Sequence, residues 1–400
     1  MSGTWTDINK EVRRATAINR IARNVAWEIV SQARPEDLSR VPPSAEALTP
    51  EYLTAVLCKD HPAAKVTSIT LGAASSGSAD RCAFSVTYND AGNRAGLPRD
   101  LFHKSTKGFY TRLHLLRCGI SRNETSFFTV IQPTLKSEIP KPIRADFEPG
   151  SCRQSIILED VIKTKGAKFF EVSTPVERSD IESMLSIIAE LHGKYWESPR
   201  LQNEFTWLLT PAQFSKNLEE GMELEQLIDL GLQRGGSVVS AQLVGRKADV
   251  LAAYRKSMDL STRAPVTYIH GDPHLRNFYK TSAGAIGLAD WQVTMRGAWS
   301  HDFAYTMLTS LPVDKRQLWE KDLLEFYLQK VKAAGGRPPS VQDAWELYRR
   351  QTMYTFVGWL ITIGFGALQP DMQPAQESLE IIRRAATAVD DLNTIALLLG

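Results

Sequence analysis

The chain has little cysteine. Cys58, Cys82, Cys118 and Cys152 are its only four in 400 residues, and no two form a C-x-x-C pair. That spacing builds neither a disulfide framework nor a cysteine zinc cluster, and it fits a reducing compartment. An excess of one charge is also missing: 47 basic against 45 acidic residues leave a net charge of +2. No global field recruits nucleic acid or an anionic membrane, so neither is expected as a partner, and partners have to be argued from a site. Long hydrophobic runs are absent. The longest, Phe356 to Leu368, has thirteen residues broken by three glycines and a threonine, short of the ~20 needed to span a bilayer. The opening "MSGTWTDINKEVRRATAINR" is polar and mixed in charge, unlike a secretory signal, and a cytoplasmic location is expected. No internal repeat or low-complexity tract is visible.

What remains is the balance of an ordinary globular protein, 43% apolar and 23% charged, in a chain long enough for two lobes. Residues 1–50 read as a helical extension. In "EVRRATAINRIARNVAWEIVSQA", Val12, Ala15, Ile18, Ile21, Ala22, Val25 and Ile29 recur at close to helical spacing. Thr49 and Pro50 then open a short helix, Glu51 to Cys58. From Val66 the pattern turns to strands: "VTSITLG", "CAFSVTY" and "DLFHKS", with the small, flexible "GAASSGSAD" joining the first two. "SRNETSFFTVIQPTL" reads as a helix whose Ser121 and Glu124 form a capping box. The strand "QSIILEDV" closes an N-terminal lobe of residues 51–161.

Residues 162–400 read as a helical lobe. Ser179 is expected to cap "DIESMLSIIAELHGKYW", whose Ile181, Met184, Leu185, Ile188 and Leu191 form one stripe. Further helices are expected at Pro211 to Leu232, Ser240 to Met258, Ser300 to Leu311, Lys315 to Ala334, Val341 to Ile363 and Ala375 to Leu398. Among them sit "VTYIH" and "NFYK…AIGLAD", two β-like pieces around a polar loop. The fold class is therefore α+β, a small β-rich lobe followed by a larger helical one.

The loop, "HGDPHLRN", and the hairpin after it place Asp272, Asn277 and Asp290 within nineteen residues. Asp and Asn in turns often serve only to hydrogen-bond backbone. The same three residues can also supply what phosphoryl transfer asks of a protein, which is hard oxygen ligands for Mg²⁺ and a carboxylate to deprotonate the attacking hydroxyl. His270 and His274 are four apart on a loop, without the helix that gives H-E-x-x-H its shared face, so they do not read as a zinc site.

"HGDPHLRN…GLADWQ" resembles the catalytic loop and metal-binding segment of the aminoglycoside phosphotransferase and choline kinase-like superfamily, which has the protein-kinase-like fold. The resemblance implies that Asp272 is the base, that Asn277 and Asp290 ligate Mg²⁺, that His270 braces the loop and that Asp302 holds it from the following helix. It implies ATP as co-substrate, with GTP left open. It also asks for a Lys on the third strand to pair the α- and β-phosphates and a Glu on the next helix to hold that Lys, and Lys104 and Glu124 stand there. Glu124 also suits the capping box, and both readings stay open. The phosphate-covering loop departs from G-x-G-x-x-G, and backbone contacts from Ser75, Ser76, Gly77 and Ser78 are expected in its place. "SIILEDV" resembles the adenine-reading segment, near Glu159 to Val161, while His192 is expected to pack. "LPRDLFHKST", "NETSFF" and "IILEDV" are similar to the ecdysteroid-kinase-like branch, and "HGDPHLRN…DWQ" to bacterial members.

The acceptor is less legible. "EEGMELEQLID", Glu219 to Asp229, has five acids and no base, as a cationic sugar would need, or simply as a solvated helix face would show. "MYTFVGWLITIGFGAL" carries Tyr354, Phe356, Trp359 and Phe365, and Tyr354 and Trp359 are candidates to wall an acceptor pocket for a bulky, largely apolar alcohol. The expected enzyme is a metabolic or detoxifying small-molecule kinase. The alternatives are an aminoglycoside or macrolide resistance kinase and a nucleotide-binding module without catalysis. A protein kinase is disfavoured because no A-P-E segment follows Asp290.

Overall fold

The computed structural model describes residues 3–400 apart from 33, 36, 76, 78, 264 and 365–372, with side chains from residue 15 onward. It divides into two compact units. The first is Met1–Arg117, Thr125–Ile131 and Pro140–Thr164; the second is Cys118–Glu124, Gln132–Ile139 and Lys165–Gly400.

The first unit is built on a five-stranded antiparallel sheet of order β1-β2-β3-β5-β4, with β1 Val66–Ser75, β2 Asp80–Tyr88, β3 Asp100–Ser105, β4 Pro142–Glu148 and β5 Arg153–Glu159. Two helices precede the sheet, α1 Gly3–Ser31 and α2 Pro50–Leu57. Thr49 caps α2 through its hydroxyl, which accepts from the Tyr52 N–H, with Pro50 in the first turn as expected. Tyr52, Leu53, Val56 and Leu57 of α2 pack on Phe84, Val86, Leu101 and Ile157 of the sheet. On α1, Ile21 and Val25 are buried against Phe109, Leu116 and Cys152. Ile29 does not continue that stripe: it is 69% exposed, and Glu28 takes the inward position.

Several boundaries differ from those the sequence predicts. The edge strand β4 is not legible because "PIRADFE" alternates charges and opens on proline, which only an edge position tolerates. β1 runs through Gly72 to Ser75, where the sequence suggests a loop. A register shift lies between Leu71 and Ala74, and a Cβ on Gly72 would sit 2.8 Å from the Ala83 carbonyl oxygen. After a short helix α3, Asp90–Arg94, comes α4, Phe109–Cys118. The sequence reading missed α4 because its first turn is aromatic and β-branched. The single helix expected over "SRNETSFFTVIQPTL" is instead α5, Asn123–Ser126, followed by a π-helical turn, Phe127–Ile131, and a 3₁₀ turn. The capping box fails with it: α5 starts at Asn123, two residues past Ser121, and Glu124 turns elsewhere. β5 ends at Glu159, and Val161–Lys165 forms α6, whose Ile162 and Lys163 N–H groups are accepted by the Asp160 carboxylate.

The second unit is mostly helical, with two small sheets at its heart. α7, Arg178–Lys194, buries the expected stripe but starts one residue before Ser179. The helix expected from Pro211 to Leu232 is two, Pro211–Met222 and Leu224–Gly235, broken at Glu223 with φ +50°. Ser240 caps only Ala241–Val244, and the long helix begins afresh at Lys247–Arg263. The last helix is likewise split, Ala375–Asp391 and Thr394–Leu399, at Asn393 with φ +51°. Helices Trp299–Ser310, Val313–Ala333 and Val341–Gly364 lie close to their expected bounds, and every residue of Trp299–Ser310 is buried. A polar helix buried on all sides has to spend its polar groups on internal partners. Phe365 lies outside the described residues. Among the described residues no helix is long and apolar enough to cross a membrane.

Each unit holds a buried imidazole whose pKa burial pushes down to about 4: His103 in the first, bonded to the Ser155 hydroxyl at 2.8 Å, and His301 in the second. Both folded values lie below the unfolded 6.5. Stability is therefore complete above that pH and falls as pH drops towards about 4, by up to about 1.4 kcal/mol per pH unit for each imidazole. Urea midpoints should fall between neutral pH and about pH 5, and His103→Gln should flatten the dependence of the first unit. Midpoints that do not move over that range would contradict this.

Candidate active site

β7, Val266–Ile269, pairs antiparallel with β10, Met295–Ala298. Between them the chain passes through His270–His274 and a 3₁₀ turn, Leu275–Asn277, and then β8, Phe278–Lys280, and β9, Ile286–Leu288. β8 also pairs with the short β6, Lys168–Phe169. In the β8–β9 hairpin Phe278 faces Leu288, and the Ala289 N–H donates to the Asn277 carbonyl at 2.9 Å. That register sets Asn277 and Asp290 at the same end of the hairpin. The Asn277 Nδ2 in turn donates to the Asp272 carbonyl at 2.8 Å. All three motif residues are thus tied into one backbone-bonded turn. Asp290 adopts φ +61°, a conformation costly for a residue with a Cβ and common at functional positions.

The loop is held from beneath by Asp302 of the helix Trp299–Ser310. Its carboxylate, wholly buried, accepts the N–H groups of His270 at 2.6 Å and Gly271 at 2.8 Å, and the His192 Nε2 at 3.0 Å. Burial pushes this carboxyl up, but the His192 hydrogen bond and the imidazoles of His192, His301 and His270 hold it below the ordinary 3.8. With Nε2–H given to Asp302, His192 Nδ1 accepts from the Tyr327 hydroxyl at 2.5 Å. The packing residue the sequence suggests is therefore also a hydrogen-bond relay. Gly271 has φ +83°, and a Cβ there would come within 2.1 Å of the Val293 carbonyl oxygen. No other residue fits.

His270 braces the turn from within. Its Nδ1 accepts the Asp272 N–H at 3.2 Å and its Nε2 donates to the Ala289 carbonyl at 3.1 Å, while its ring lies 4.5 Å from that of Trp291. Trp291, fully buried, donates its backbone N–H to Glu124 Oε1 at 3.3 Å. Glu124 thus reaches the residue after Asp290. Lys104 is buried on β3 of the first unit, opposite Arg81 and Ile156 in the ladder. Ser75 ends β1 and the Gly77 N–H donates to the Ala79 carbonyl at 3.2 Å; Ser76 and Ser78 lie outside the described residues. Glu159 pairs with Lys141 through backbone and side chain, and Val161 is buried at the start of α6.

Around the Asp272 carboxylate, 30% exposed, is a set of rings the sequence reading only partly named. Tyr354 donates its hydroxyl to the Gly271 carbonyl at 3.1 Å and lies 3.9 Å from the His301 ring. Trp359 meets His274 edge-on at 5.7 Å, and His274 Nε2 is 3.8 Å from Asp272 Oδ2. Tyr305, which the sequence reading missed, hydrogen-bonds Asp272; burial first, then the Asp272 charge, push its phenol well above 10. The signal was available, since Tyr305 stands three residues after Asp302 on one helix and so shares its face. The acidic run Glu219 to Asp229 lines a separate open cavity of about 600 Å³ together with Lys247 and Arg255. These two bases pair with Asp229 at 3.3 Å and Glu219 at 2.9 Å, so the helix Lys247–Arg263 supplies the cations the run lacks.

The donor set suits a hard divalent cation. With Asn277 Nδ2 donating to the Asp272 carbonyl, the amide oxygen is the atom that could serve as a hard ligand, as could the Asp290 carboxylate. Among the described residues no group of three or more His, Cys, Asp or Glu side chains could hold an ion.

The chain belongs to the ecdysteroid kinase-like family, which it matches over residues 114–335. That span holds Glu124 and the whole Asp272–Asp302 segment, and leaves out α1 and Lys104. Among solved structures the chain is similar to the choline kinase LicA of Streptococcus pneumoniae, at 15% identity over 82% of this chain and 94% of that one, with a TM-score of 0.48. A choline/ethanolamine kinase family protein of Mesorhizobium loti shares 13% identity over 83% and 93%, with a TM-score of 0.46. The macrolide 2'-phosphotransferase MphH of Brachybacterium faecium shares 13% over 78% and 91%, with a TM-score of 0.43. No curated protein matches the chain.

Asp302→Ala strands two backbone donors and His192 in a dry interior and should cost about 3 kcal/mol. Gly271→Ala should cost about 2 kcal/mol or more from strain. Both are read as lowered denaturant midpoints at constant slope; wild-type midpoints would show that the loop does not depend on these contacts.

Proposed function

We propose that the chain transfers the γ-phosphoryl group of ATP to a hydroxyl of a small, bulky and largely apolar alcohol. The observation that carries this is the backbone-bonded turn that ties Asp272, Asn277 and Asp290 together. Asp272 accepts the proton of the attacking hydroxyl as its oxygen bonds to phosphorus and the bond to the β-phosphate oxygen breaks, releasing ADP. Asn277 and Asp290 would hold Mg²⁺, which when bound neutralises charge on the phosphates. Lys104 takes the α- and β-phosphates, with Glu124 steadying the segment after Asp290. Backbone from Ser75 to Ser78 covers the phosphates, and the end of β5 from Glu159 to Val161 reads the base. Tyr305 orients the Asp272 carboxylate. Tyr354 and Trp359 wall the acceptor side, and their rings beside Asp272 favour an apolar alcohol over a polycationic sugar.

Asp272→Asn should lower kcat by roughly 10²–10⁴-fold, and Asp290→Ala should abolish Mg-ATP turnover with the circular dichroism spectrum unchanged. Trp359→Ala should raise the acceptor KM with little change in the KM for ATP. An ATP-consumption screen over sterols, aromatic alcohols, amino alcohols, macrolides and aminoglycosides supplies the acceptor. Full activity in Asp290→Ala would sink the site, turnover confined to aminoglycosides would overturn the acceptor class, and Mg-ATP binding without transfer to any alcohol would mark a non-catalytic binding module.

A further inference from the structure

In the first unit one carboxylate does the work of a clamp. Glu28 follows Ile21 and Val25 on the inward face of α1, and its side chain is only 6% exposed. It accepts Arg112 Nη1 at 2.9 Å and Nη2 at 2.5 Å from α4, and Arg153 Nη1 at 3.0 Å from the start of β5. Arg112 is fully buried and Arg153 nearly so. A buried guanidinium needs a counter-charge, and for Arg112 Glu28 provides it. The fork-to-fork pairing also fixes the plane of the Arg112 guanidinium.

That plane sets what the third arm reaches. Arg112 Nε donates to the Thr106 carbonyl at 2.7 Å and Nη2 to the Lys107 carbonyl at 3.4 Å. Thr106 is the residue just past β3, and its hydroxyl accepts the Gln154 N–H at 2.9 Å and donates to the Cys152 carbonyl at 3.3 Å. Arg153, the other guanidinium on Glu28, also binds Glu148 at 2.8 Å. The exit of β3, two residues from Lys104, is thus held by α4 and β5, and both are tied to α1 through the same carboxylate.

We propose that α1 is a positioning element of the nucleotide site: Glu28, acting through Arg112, sets the end of β3 and with it the reach of Lys104. This rests on the reading of Lys104 as a phosphate ligand. Residues 3–31, like Lys104, lie outside the span matched to the family.

The test is Mg-ATP affinity by titration calorimetry on the full chain, which needs no acceptor. Glu28→Gln keeps shape and one acceptor while removing the charge, and should weaken nucleotide binding about tenfold. Arg112→Lys, which cannot hold Glu28 and the Thr106 carbonyl together, should do the same. Lys104→Met should weaken binding by itself, and Glu28→Gln should then add nothing, the non-additivity expected of a shared route. If Lys104→Met binds as the parent does, the lysine reading fails and the proposal with it. If Lys104→Met weakens binding but Glu28→Gln and Arg112→Lys only lower the melting temperature, or weaken binding equally in both backgrounds, the lysine reading stands and the role of α1 is overturned.

Discussion

The second unit turns on a buried carboxylate. Asp302 has no water to solvate it, so it must be paid in hydrogen bonds, and it takes them from two consecutive backbone N–H groups and an imidazole. Because those N–H groups belong to His270 and Gly271, the carboxylate's need for partners dictates the path of the loop. The left-handed Gly271, the His270 brace and the Asn277 amide on the Asp272 carbonyl follow from that path. In the proposed function this rigidity has a chemical use, since the base and metal-ligand pair proposed there would act only when held in place before the substrate arrives.

The first unit solves the same problem with charge. Glu28 and two arginines form a buried ionic cluster whose arms end on main-chain carbonyls next to β3. Both clusters bind backbone, and a side chain that binds backbone transmits position rather than specificity. The aromatic groups around Asp272 differ in kind. Tyr354, Trp359 and Tyr305 are themselves buried and bring ring packing rather than charge to the loop.

Where residues carry chemistry in a short span, the sequence was readable. The Asp272–Asp290 segment announces itself because its parts are close along the chain and the hairpin register follows from "NFYK" and "AIGLAD". α2, α7 and the three strands β1 to β3 were legible from caps and periodicity. What failed were features with no local signature. β4 is an edge strand with alternating charges. Glu223 and Asn393 break long helices in a left-handed conformation that neither composition nor period announces. Ser121 and Glu124 make a capping box on paper, yet Glu124 meets the Trp291 N–H, a contact worth more in a buried site than a cap at a helix end. Glu28 and the hydrogen-bond role of His192 were missed because their partners lie far away in sequence.

By itself the sequence determined the class of fold and the family, because hydrophobic period and motif spacing are local properties of the chain. Only the tertiary structure decided which buried polar groups pair. That choice depends on which elements meet in a dry interior, where an unpaired group costs several kcal/mol. It placed Tyr305 beside Asp272 and Glu28 rather than Ile29 on the inner face of α1.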